Sequence, residues 1–187
     1  MKLMRKYDVL AILLSPTVMA LVTVLAVLKG NSNINDWLVA LFSIVIGPVL
    51  PVILLAAMKR TDLNVTDQAR RTPLLMLAIF SYFLGFTFFH SKHFWIMEFV
   101  TLSYGIVTLG VAIINAFYMK GSVHRAGIVG PGTILLLLGL KEGIYMLLLT
   151  PLVASIRLRV KAHDELEILA GGIIALVLTL FAYYICT

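Results

Sequence analysis

The sequence predicts an all-α fold, a polytopic membrane helix bundle of six or seven transmembrane helices forming one integral membrane domain over residues 1–187. Three observations carry that reading. First, 61% of the residues are hydrophobic and only 13% charged, where soluble domains hold about half and about a quarter. Second, the apolar residues gather into runs long enough to cross a hydrocarbon core of about 30 Å. Third, Lys and Arg collect in the loops of one face. The same composition excludes a soluble domain, a disordered tail, a nucleic-acid module and, with Cys186 the one cysteine, a disulfide scaffold. The net charge of +6 therefore asks for a membrane explanation. Runs this apolar read as helices, because lipid offers the backbone no hydrogen-bond partners.

In chain order the first run is Val9–Leu28, preceded by Lys2, Arg5 and Lys6. It is about as long as a span requires and no small-x-small cleavage site follows Leu28, so it reads as a retained span. Trp37–Met58 comes next, then Pro73–Phe89, where Pro73 is expected to open the helix, then Phe94–Tyr118. Ala126–Leu140 and Ile144–Ile156 are shorter and read as a tight helical pair or one re-entrant element broken at Lys141-Glu142-Gly143. Leu166–Ile185 closes the series. Pro16, Pro48, Pro51, Pro131 and Pro151 fall inside these runs, a placement membrane helices tolerate. Ala126, Gly127, Gly130 and Gly132 read as close-packing positions between helices, and Tyr82, Phe83, Phe86, Phe88 and Phe89 as lipid-facing or packing aromatics.

Seven spans leave two faces. The face of the N-terminus takes Lys2, Arg5, Lys6, Lys59, Arg60, Arg70, Arg71, Lys120, Arg125, Arg157, Arg159 and Lys161; the opposite face takes Lys29, Lys92 and Lys141. The positive-inside rule puts the richer face in the cytoplasm, as expected of a multi-pass protein of the cytoplasmic (plasma) membrane. Topology alone accounts for any single one of these charges. His124 and His163 lie on the same face among the arginines, while His90 and His93 flank the opposite turn and read as interfacial. Glu98 sits about one turn inside the fourth run, close enough to its end to reach water.

Three segments of the basic face carry chemistry. In the last, Arg157 is followed after five residues by His163 and then after three by Glu167. On a helix His163 and Glu167 would share a face, so the carboxylate could fix the imidazole tautomer and leave the other nitrogen as base or nucleophile. Arg157 offers a planar cationic fork to an anion. Gly121-Ser122-Val123-His124 precedes the fifth run, where a phosphate would meet free backbone N–H groups at a helix N-terminus. Ala69-Arg70-Arg71-Thr72-Pro73, with Lys59 and Arg60 upstream, is the earliest. Two spans separate each segment from the next, so all three return to one face. Each has a plain structural reading: a His–Glu pair four apart is common on helices, Ser-x-His is weak alone, and Arg157 and Arg159 point to opposite sides of a helix. Their joint occurrence in order on one face favours a site. Soft metal ligands at suitable spacing are lacking, so no metal centre is expected.

At these residues the sequence resembles the type-2 phosphatidic acid phosphatase superfamily of membrane lipid phosphatases, in a compact divergent bacterial and archaeal branch. That family's signature is Lys, six residues, Arg-Pro; then Pro-Ser-Gly-His; then Ser-Arg, five residues, His, three residues, Asp. Arg157, His163 and Glu167 match the third part, with Glu for Asp and Ser155 one place early. Ser122 and His124 keep the second, with Gly121 for Pro and Val123 for Gly. The first part departs most: no Lys lies seven before Arg70 or Arg71, Thr72 separates Arg71 from Pro73, and Asp67-Gln-Ala-Arg-Arg takes its place. The resemblance covers residues 59–171. It implies metal-independent hydrolysis of a lipid phosphomonoester or diphosphate without a cofactor, through a phosphohistidine. His163 would attack phosphorus, Glu167 would orient it, and His124 would protonate the leaving oxygen. Arg157, Ser122, Arg70 or Arg71, and Lys59 would hold the phosphoryl oxygens. The implied partners are a lipid phosphate and membrane lipids, with no nucleic acid. The resemblance also implies a site on the outer side, against the charge count. The competing expectation is a non-catalytic protein that binds or translocates anionic lipid.

Overall fold

The computed structural model describes residues 13–30, 32–61, 65, 67–119, 121–159 and 164–187, with Arg157 described in its backbone only. All regular structure among them is helical. Helix α1 (Pro16–Leu28) starts at Ser15, whose hydroxyl accepts the Val18 N–H at 3.4 Å. Pro16, lacking an N–H, suits that first position. The expected run Val9–Leu28 is therefore interrupted at this cap, and its residues 9–12 lie outside the described residues.

Helix α2 (Ile34–Ala57) opens with a capping box between Asn33 and Asp36 and contains a π-helical stretch at Leu41–Ile46. The wide turn has a definite cause. Gly47 N–H reaches back to Phe42, and Pro48 has no proton to offer the carbonyl of Ser43. That carbonyl instead accepts the Ser81 hydroxyl of the next helix at 3.0 Å. Helix α3 (Gln68–Ser91) is capped by Asp67, which accepts from Ala69 N–H at 3.0 Å. Pro73 thus lies inside α3 rather than opening it, and Arg70 and Arg71 are helical residues.

Helix α4 (Trp95–Phe117) runs back antiparallel to α3. After it come α5 (Val123–Leu137), the tandem pair α6 (Glu142–Leu148) and α7 (Thr150–Arg159), and α8 (Glu165–Cys186). Four helices, α2, α3, α4 and α8, are long and apolar enough to span a membrane. The other expected spans correspond to three shorter apolar helices, α1, α5 and the rod Glu142–Ile156.

Short α5 is the centre of the bundle, packing on α1, α4, α6, α7 and α8. Residues Ile128 to Leu135 are all buried. Its small residues allow this. A side chain added at Gly127 would meet Pro16 at 2.7 Å, and one at Gly132 would meet Leu147 at 2.9 Å. The outer helices carry Phe42, Ile53, Phe80, Phe83, Leu169 and Phe181 on their exposed surface, as contact with lipid demands. At the far end, buried Asp36 pairs with Lys92, and His90 Nδ1 lies 2.9 Å from a Glu98 carboxylate oxygen. Glu98 is thereby a partner of His90.

Candidate functional site

The beginnings of α3, α5 and α8 meet at one end of the bundle. Arg71, 5% exposed, donates from Nε to the carbonyl of Val65 at 3.2 Å and from Nη1 to that of Gly121 at 3.1 Å. It joins the loop ahead of α3 to the loop ahead of α5. Gly171 of α8 lies so close to the same loop that an added Cβ would sit 2.7 Å from the Ser122 carbonyl. Nearby, Asn115 at the end of α4 donates to Thr72 Oγ1 at 2.8 Å and to the Gln68 carbonyl at 3.2 Å, and Gln68 donates back to the Asn115 carbonyl at 2.8 Å. These bonds hold the start of α3 at the level of the α4–α5 turn.

Below this junction opens a cavity of about 570 Å³. Arg71 and His124 are its basic lining residues, and Ser15 stands at the start of α1 beside them. The remaining wall is mostly aliphatic, with Val49 and Val52 from α2, Leu75 and Ala78 from α3, and Val107 from α4. Val65 also lines it, with φ of 47°, a left-handed conformation that is strained for a β-branched residue. Arg71 holds the Val65 carbonyl in place. A cationic guanidinium and an imidazole at one end of an apolar chamber are suited to an anionic amphiphile.

The sequence-predicted residues separate clearly. Arg71 and His124 line the cavity. Arg70, its side chain half exposed, pairs outside with Asp67 at 3.2 Å. Ser122 is fully buried, and its hydroxyl accepts the Arg125 N–H at 3.4 Å, so it caps α5 and does not line the chamber. Lys59 is exposed at the end of α2. Glu167 occupies the third position of α8, where its carboxylate accepts the Asp164 N–H at 3.3 Å and Asp164 accepts the Glu167 N–H at 2.8 Å. Because α8 begins at Glu165, the shared helical face assumed for His163 and Glu167 is not provided by this helix. His163 and the side chain of Arg157 lie outside the described residues. Sequence reasoning missed Ser103 and Thr179, hydroxyls that line the deep part of the chamber; nothing in their spacing marks them.

Comparison with protein-family models, with curated proteins and with solved structures finds no match to this chain.

Proposed function

We propose that the protein is a membrane lipid phosphatase that hydrolyses the phosphomonoester or diphosphate of an amphiphilic lipid. The observation that carries the proposal is the single chamber with Arg71 and His124 at one end and aliphatic walls beyond. In this reading the short helices α1, α5 and Glu142–Ile156 complete a six- or seven-span bundle in the cytoplasmic membrane. Enclosure by neighbours lets a helix shorter than the bilayer stay within it. The phosphate sits beside Arg71 and the start of α5, and the chains lie along α2, α3 and α4.

His163 attacks phosphorus as the P–O bond to the lipid breaks, and His124 delivers a proton to the departing oxygen. Water then attacks the phosphohistidine, giving inorganic phosphate and restoring the free imidazole. Arg71 and Arg157 neutralise the equatorial oxygens, a task that in phosphoryl transfer is mostly positioning and charge. In this reading Glu167 orients His163.

The test is release of inorganic phosphate from phosphatidic acid, phosphatidylglycerol phosphate and a polyprenyl diphosphate in EDTA. The wild type is expected to release phosphate from at least one, and His163→Ala and His124→Ala to lose about 10²-fold or more. Equal background release from all three proteins would overturn the catalytic reading. The engagement of Glu167 in the α8 cap favours a second reading, a non-catalytic binder of anionic lipid. Retention of phosphatidic acid by the wild type without any release would establish that one instead.

A further inference from the structure

Ser103 of α4 and Thr179 of α8 are each fully buried, and both line the chamber. Among the described residues neither hydroxyl has a hydrogen-bond partner. Thr61 and Thr150 share that state among the described residues, whereas four other hydroxyls do not. Thr23, Ser43, Thr101 and Thr133 each donate to the carbonyl four residues earlier, at 2.9, 2.7, 2.8 and 2.8 Å. Back-bonding is the ordinary way for a helical hydroxyl to satisfy itself in lipid. Ser103 and Thr179 make no such bond, and both residues line the chamber.

The packing puts the two at one depth. Gly121, which accepts from Arg71, lies against Val111, an added Cβ meeting Val111 at 3.3 Å. Ser103 is eight residues before Val111, and Thr179 is eight after Gly171, which touches Ser122. Eight residues of helix advance about 12 Å. One turn deeper, Phe99 and Tyr183 meet edge to face at 5.3 Å between centroids, consistent with the same antiparallel register. Across from Thr179 stands Gly130, which brings no side chain of its own toward the hydroxyl, an added Cβ lying 3.8 Å from it. Nearby, the Tyr104 hydroxyl already donates to Thr23 Oγ1 at 3.4 Å.

We propose that Ser103 and Thr179 form a second, neutral subsite about 12 Å below the cationic end, which binds a hydroxyl or carbonyl carried midway along the hydrocarbon chain of the amphiphile. The inference rests on the chamber holding a lipid phosphate, and it adds what distinguishes one such lipid from another. Two hydroxyls can both donate and accept, and no charged group of the lining stands at their depth, so an ionised group gains nothing there and a neutral polar one does.

The experiment uses the full chain in detergent with a radiolabelled single-chain lipid phosphonate bound, a phosphate analogue whose P–C bond the proposed hydrolysis does not cleave. Three unlabelled competitors of equal length are compared: one without a hydroxyl, one with it at mid-chain, one with it at the chain end. The mid-chain compound is expected to compete about tenfold better than the other two, the worth of one or two net hydrogen bonds. Ser103→Ala combined with Thr179→Val removes the preference, while Thr179→Ser keeps it. Equal competition by all three in the wild type overturns the subsite and leaves the hydroxyls to buried water. The wild-type comparison needs no variant to fold. If the labelled lipid is not retained at all, the lipid-phosphate reading falls and this one falls with it.

Discussion

Arg70 and Arg71 are neighbours on α3 with opposite environments. Arg71 is buried and holds the carbonyls of Val65 and Gly121, whereas Arg70 reaches Asp67 in a half-exposed pair. Arg71→Ala strands two carbonyls, each costing about 1–3 kcal/mol, and takes a cation from the chamber. It is therefore expected to lower the thermal unfolding midpoint in detergent by several degrees and to abolish phosphate release. Arg71→Lys retains the charge but not the fork that spans two loops, and falls between. Arg70→Ala changes stability by about 0.5 kcal/mol or less, since exposed pairs contribute little. Equal losses in Arg70→Ala and Arg71→Ala would refute the assignment. At this scale the sequence placed both arginines beside the site, but which of two adjacent residues faces inward depends on where α3 begins. The Asp67 cap, not Pro73, sets that point.

Among the elements, α2 and α8 show how a helix is positioned by what its backbone lacks. Pro48 leaves the Ser43 carbonyl without its partner, and Ser81 of α3 supplies the missing donor. Ser81→Ala should destabilise the protein by about 1–3 kcal/mol, read as a lower unfolding midpoint, although the side chain itself is small. An unchanged midpoint would mean that the carbonyl finds another donor. On α8, Gly171 sits against the Ser122 backbone, so Gly171→Ala forces two helices apart: the clashing atom is a carbonyl oxygen, not a flexible side chain. That variant should lose phosphate release more than tenfold, because it displaces the start of α5 that carries His124. Wild-type turnover in Gly171→Ala would show that the junction tolerates movement. The apolar runs were legible as helices from composition and length. The short fifth run was legible as a close-packed element from its glycines, but its place at the centre was not, since a run of small and apolar residues suits several neighbours equally.

Over the whole molecule, charge and chemistry are polarised. Arg71, His124 and the starts of α3, α5 and α8 share one end, while the Asp36–Lys92 and His90–Glu98 pairs lie at the other. The charge distribution predicts that a cysteine replacing Arg60, in a Cys186→Ser background, resists a membrane-impermeant thiol reagent in intact cells and that one replacing Lys29 reacts. The reverse labelling would put the Arg71 end of the chamber outside and make the arginines substrate ligands first and topology signals second. By itself the sequence determined that this is a helical membrane protein, roughly where its apolar helices lie, and that the segments of Arg71, His124 and Glu167 return to one end. Those follow from local physics: lipid forces helices on apolar runs, and counting crossings fixes the face. Only the tertiary structure decided which side chains share a chamber, that Ser122 and Glu167 are engaged in caps, and that two unmarked hydroxyls stand in the lining. Side-chain direction depends on where each helix starts and how it is rotated against its neighbours. That rotation is set by packing between residues far apart in the chain, which no local pattern records.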